Sequence, residues 1–202
     1  MKSRNKWLLV LSLIMTYTII SCASTSLTTV WKDDNYQGQI TNVLIIGISK
    51  EPARKRFFED EFVRQMEARG VRAVASYNHF PDGQMPQTDA LVSKVAEMNI
   101  DAVLITRVVD RKTVETYVPR ADYYRPPVHY YGYRNYYSRS YEQGYVVKDE
   151  VVVLETNLYD AETEKMIWSA MSETFKGGAA EGMIRDFIKI LVKNMSEKKL
   201  LK

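Results

Sequence analysis

The spacing of apolar and polar residues changes several times along the chain, and each change marks an element. In the run Val43-Leu44-Ile45-Ile46-Gly47-Ile48 almost every position is apolar or β-branched. That pattern predicts a strand buried on both faces, central in a sheet. From Pro52 the period lengthens: Phe58, Phe62 and Met66 recur every four residues with Val63 beside them, while Arg, Lys, Glu and Asp fill the other positions. This is an amphipathic helix, opened by Pro52 and closed by Gly70. Residues 71–76 read as a second strand, and residues 88–99 as a second helix with Leu91, Val95 and Met98 on one side.

A third strand starts at Ala102 and continues through Val108 toward Val118. Charges begin to alternate there, so its far half is expected to leave the covered part of the sheet. Residues 146–159 form another long strand, 160–165 a turn and 166–175 its partner, before Gly177-Gly178 breaks the pattern. A last helix over 179–195 carries the stripe Met183, Ile184, Phe187, Ile188, Leu191 and Met195, begun by Ala180. The order β-α-β-α-β-β-β-α predicts an α/β (α+β) fold, a mixed sheet with three helices packed on it.

The first residues follow a different logic. Lys2, Arg4 and Lys6 precede a charge-free, mainly apolar run over residues 7–20, which matches the basic and apolar regions of a secretory signal. Its 14 residues fall short of the roughly 20 needed to span a membrane. The run ends in Ile19-Ile20-Ser21-Cys22, which resembles the lipobox of bacterial lipoproteins. The resemblance implies cleavage between Ser21 and Cys22, a diacylglyceryl group on the Cys22 thiol and an acyl chain such as palmitate on the freed amine. Cys22 is the only cysteine, so no disulfide partner competes for it. More than one acyl chain makes a stable anchor.

By the sorting rule of many such lipoproteins, Ala23 in place of Asp after the cysteine favours the outer membrane, facing the periplasm. The expected organisation is a signal peptide over 1–21, an acylated cysteine and tether over 22–29, and one domain over 30–197.

Loss of the leader changes the charge balance. Taking Lys2, Arg4 and Lys6 from the 28 Lys+Arg leaves 25 against 25 Asp+Glu. A neutral mature chain gives no reason to expect nucleic-acid binding.

Several short motifs extend the resemblance beyond the leader. They are Trp31-Lys32-Asp33-Asp34-Asn35-Tyr36, the apolar strand, the Arg-rich helix, Ser76-Tyr77, and Leu158-Tyr159-Asp160 leading to Ile167-Trp168-Ser169. Together they resemble a family of bacterial outer-membrane lipoproteins that carry a domain of unknown function. The element order is also similar to that of the lipoprotein domains that activate peptidoglycan synthases or build the curli secretion pore, and to the N-terminal domain of TolB. The resemblance implies a binding or assembly module of the cell envelope, with no catalytic residue to carry over.

Residues 117–145 depart from that pattern. They hold ten of the fourteen tyrosines, among them Tyr123, Tyr124, Tyr130, Tyr131, Tyr133, Tyr136 and Tyr137, with three prolines, four arginines and two acids. Prolines oppose regular strand pairing, so a hairpin tip or inserted loop is expected. Tyrosine and arginine are enriched where proteins bind one another, which makes the segment a candidate contact for an envelope protein. Stacking on peptidoglycan sugars is a second reading, and a low-complexity insertion a third. Export argues against single-stranded nucleic acid, despite the interleaved aromatic and basic residues.

Candidates for catalysis are few. The histidines are His79, in a loop sequence with Pro81-Asp82-Gly83, and His129, and no zinc-protease, nucleophile-elbow or phosphate-loop pattern is present. Glu59, Asp60 and Glu61 fan over about 200° of a helix and read as a solvated face. Asp33-Asp34 and Asp160, Glu162 and Glu164 fall at turns, without the glycine and terminal glutamate of a calcium loop. The expectation is a non-enzymatic protein with no metal and no cofactor apart from the covalent lipid on Cys22, and the rival from another class is an acid-dependent hydrolase built from scattered carboxylates.

Overall fold

The computed structural model describes residues 25–80, 88–118, 145–175 and 179–202. Its elements are β1 (Thr25–Lys32), β2 (Asn42–Ile48), α1 (Pro52–Glu67), β3 (Arg72–Ala75), a 3-10 turn at Ser76–Asn78, α2 (Thr88–Glu97), β4 (Ala102–Val118), β5 (Tyr145–Asp160), β6 (Met166–Phe175) and α3 (Ala180–Glu197). The mixed sheet, the three helices and the order β-α-β-α-β-β-β-α from β2 onward agree with the sequence expectation.

The six strands lie in the order β1-β6-β5-β4-β2-β3. β2 runs parallel to both β3 and β4, and the remaining neighbours are antiparallel. The near-continuous apolar run of β2 follows from this position, since both its faces are covered. Val43 and Ile45 point to one side, where α1 and α3 bring Phe62, Met66, Ile188 and Leu191 against Trp168. Leu44 and Ile46 point to the other, where α2 brings Val95 against Val103. Gly70 (φ 79°) and Asn99 (φ 51°) end α1 and α2 in the left-handed region, reached most easily by Gly and then Asn.

β1 is an addition to the expected order and corrects the expected tether. Thr25, Ser26, Leu27 and Thr29, expected in the link before the domain, pair instead with β6, and Thr25 Oγ1 lies 2.9 Å from Thr174 Oγ1. The far boundary also moves. Leu200 and Leu201 lie beyond residue 197 but are buried, and the N–H of Ile40 donates to the Leu200 carbonyl at 2.8 Å.

β4 and β5 outrun the rest of the sheet. The pairing of β4 with β2 stops at Arg107, and that of β5 with β6 stops at Val151. Among the described residues, 113–118 and 145–150 therefore pair only with each other, as a two-stranded ribbon about 20 Å long at strand rise. Near its root the ladder shifts between Val108 and Asp110. Val109 is an extra residue there, and Arg111 faces the same side of the sheet as Val108 because both sit opposite even-numbered positions of β5, Val152 and Leu154.

Candidate functional site

Ser21, Cys22 and the tyrosines 123, 124, 130, 131, 133, 136 and 137 lie outside the described residues. Tyr117 and Tyr145, the first and last residues of the Tyr-rich segment, are at the end of the ribbon and 60% and 58% exposed. The sheet end from which the ribbon leaves gathers other termini. β2 and β6 finish there, while β1, α1 and α3 begin there.

Between the first turns of α1 and α3 a cleft of about 710 Å³ opens over the sheet. Gly47, Thr106, Leu154 and Thr174 form its floor, and Phe58, Met183, Ile184 and Phe187 wall it from the two helices. Among the described residues its charged lining is one-sided, with Lys50, Arg54, Lys55, Arg107 and Arg111 against Glu51. Two of these cations are engaged at the surface: Arg54 pairs with Glu51 at 3.0 Å, and Arg107 with Glu155 at 2.6 Å. Neither α1 nor α3 has a side-chain hydrogen bond from its N-cap residue, Glu51 or Ala179. Both helices thus turn first-turn amides and the positive end of the helix dipole toward this region.

Glu59 lies behind the cleft and corrects the sequence reading most sharply. Expected on a solvated face, it is 0% exposed. Its Oε1 accepts from the Gly47 N–H at 2.8 Å and from Ser76 Oγ at 2.7 Å, and its Oε2 accepts from the Tyr77 N–H at 3.0 Å. These bonds tie α1 to the ends of β2 and β3, so Glu59 acts as a structural clamp and faces no open space. Gly47 permits the approach, because a Cβ there would meet Phe58 Cδ1 at 2.9 Å.

Glu61, the other carboxylate assigned to solvent, is also buried, at 6% exposure. It binds Arg64 and Gln65. The Arg64 guanidinium, helped by Gln65 and Arg185, holds its pKa below the usual carboxylate value against the opposing effect of burial. Asp60 is exposed as expected and accepts from the Tyr77 hydroxyl, which raises the phenol's pKa.

His79 sits exposed after the 3-10 turn, in agreement with its reading as a loop residue. Asp33 follows β1 and Asp160 ends β5, and each accepts from an N–H of the turn that comes next, that of Asn35 and of Thr163. Among the described residues, no group of three His, Cys, Asp or Glu is placed to hold a metal ion.

Sequence reasoning missed the cleft. One signal was present: Lys55 and Glu59 stand four residues apart, in step with Phe62 and Met66, so both flank the apolar stripe of α1.

Fold and cleft define the class, a small α+β domain with a mixed six-stranded sheet and a cationic, partly apolar cleft at one end. No family model matches the chain, and no curated protein matches it. Among solved structures it is similar to the PelC dodecamer from Paraburkholderia phytofirmans, at 13% identity and TM-score 0.45 over 81% of this chain and 94% of that one. It is similar to lipoprotein GNA1162 from Neisseria meningitidis at 12% identity and TM-score 0.43, over 78% of this chain and 99% of that one. A neuraminyllactose-binding hemagglutinin homologue from Helicobacter pylori follows at 11% identity and TM-score 0.39, over 81% of this chain and 92% of that one.

Proposed function

We propose that this chain is a lipid-anchored protein of the cell envelope that works by binding, holding a protein partner close to the membrane through the β4–β5 ribbon and the Tyr-rich segment it leads into. The anchor rests on the lipobox and Cys22, and Ala23 directs it to the outer membrane, facing the periplasm. The observation that carries the binding role is the ribbon itself. A two-stranded ribbon is marginally stable in water, and this one presents exposed Tyr117, Tyr145 and Val146 with no third strand beside them among the described residues. Exposed aromatic and apolar side chains such as Tyr145 and Val146 suit docking to another protein.

Photo-crosslinking in living cells tests this reading, with a photoreactive residue at Tyr131 or Tyr145. Glu67 on α1 serves as the exposed control, since buried Glu59 is unsuitable. One dominant protein adduct at the ribbon positions and none at Glu67 is the expected result. If no protein is trapped while the chain sediments with purified sacculi, the ribbon serves glycan binding instead.

A further inference from the structure

Lys55 lines the cleft with its side chain only 7% exposed. Its one ionic contact among the described residues is Glu59 Oε1, at the long distance of 3.9 Å. That oxygen already accepts two shorter bonds, from Gly47 and Ser76, and no hydrogen bond to Lys55 Nζ is present among the described residues. A buried ammonium normally has its donors satisfied, because desolvating it without acceptors is costly. Arg111 adds a guanidinium to the same cleft without an ion pair among the described residues. The first turns of α1 and α3 flank these charges, and helix N-termini favour anions.

The rest of the lining is apolar. Phe58, Leu154, Met183, Ile184 and Phe187 suit the glycerol backbone and upper acyl chain of an amphiphile better than a free, fully hydrated anion. Position along the chain indicates where such a ligand comes from. Thr25, the first residue of β1, pairs with Thr174, which lines the cleft. Cys22 precedes Thr25 by three residues, a span of at most about 10 Å. An acyl anchor on Cys22 therefore holds the cleft end of the sheet near the bilayer surface.

We propose that the cleft between the N-termini of α1 and α3 binds the phosphate head group of an anionic phospholipid from the membrane that holds the chain, with Lys55 and Arg111 as its ligands. This rests on the lipid anchor proposed above. The bound head group supplies the hydrogen-bond acceptors that no described residue gives Lys55 and fixes the orientation of the ribbon over the membrane.

The test uses the full acylated chain, with ¹³C-methyl methionines, in nanodiscs of phosphatidylcholine alone and of phosphatidylcholine with phosphatidylglycerol. Met183 lines the cleft and Met195 is buried in the core. Phosphatidylglycerol is expected to shift the Met183 methyl signal and leave Met195 unchanged, and Lys55→Gln and Arg111→Gln each to remove most of that shift. An unchanged Met195 signal shows that the variants are folded, and Arg111 is exposed, so its replacement spares the core.

A Met183 signal that is the same in both discs, or that responds as in wild type in both variants, overturns the proposal. An equal shift produced by inorganic phosphate in phosphatidylcholine discs overturns the lipid source and leaves a site for a soluble anion. Mass spectrometry of the same preparation reads acylation of Cys22, so an absent anchor is distinguished from an empty cleft.

Discussion

The buried carboxylate of Glu59, in the middle of α1, accepts a 2.8 Å hydrogen bond from the backbone N–H of Gly47 in β2. Helix and strand meet there through a charge-assisted bond between a side chain and the backbone, where an apolar contact would be usual. Removing the carboxylate strands the donors of Gly47, Ser76 and Tyr77 and leaves Lys55 without its counter-ion. Glu59→Ala should therefore destabilise the domain by about 3–5 kcal/mol. Urea unfolding measures this as a lower midpoint, and a loss below about 0.5 kcal/mol, typical of surface sites, would show that the clamp contributes little.

Gly47 should be nearly as sensitive, for a steric reason. An added methyl group would stand 2.9 Å from Phe58 Cδ1, and overpacking of this kind costs about 1–3 kcal/mol. Gly47→Ala should lower the unfolding midpoint, while combining it with Phe58→Leu should recover part of the loss. If the double variant is no more stable than the sum of its parts, the clash with Phe58 is the wrong explanation.

A pH dependence follows from Glu61. Arg64, with Gln65 and Arg185, lowers its folded pKa below 4.5. A depressed carboxylate contributes stability above its unfolded pKa and loses that contribution as pH falls through the folded value. Glu61→Gln should cost about 1 kcal/mol at neutral pH, and the gap to wild type should shrink as acid protonates Glu61. Unfolding curves at neutral pH and well below the unfolded pKa check this, and a constant gap would count against it. The exposure of Arg64, 65% at the side chain, keeps the expected effect modest.

The ribbon should be the least protected part of the sheet. Among the described residues, 113–118 and 145–150 have no strand partner outside their own pair, whereas residues 153–158 of β5 are hydrogen-bonded on both sides. Amide exchange should be much faster in the ribbon than in that central stretch. Equal protection in the two regions would mean that something outside the sheet braces the ribbon, and its reading as an open docking arm would fail.

The sequence was most legible where one element's burial depends on its own pattern. The run Val43–Ile48 and the stripe from Met183 to Met195 specify a two-faced strand and a one-faced helix without knowledge of their neighbours. β1 was not legible because it is an edge strand rich in Ser and Thr, and its pairing closes a loop of 149 residues between Thr25 and Thr174. Leu200 and Leu201 were hidden by the polar stretch Ser196-Glu197-Lys198-Lys199 before them.

The cleft was harder still. Burial of Glu59 is determined by donors from two separate stretches of chain, Gly47 and Ser76-Tyr77, and the facing of Arg111 depends on a shift in the β4–β5 ladder. Neither fact is local to the residue concerned.

That shift has an electrical consequence. In an uninterrupted ladder Val108 would still oppose Leu154, but Asp110, not Arg111, would oppose Val152. Every side chain of β4 past Val108 would change sides, turning an acid toward the cleft and a base away from it. The spare residue Val109 is thus a parity switch for the charge beside Lys55. A chain that lost the bulge by slipping register could keep its fold and its composition, yet set a carboxylate in the cleft where this one sets a guanidinium.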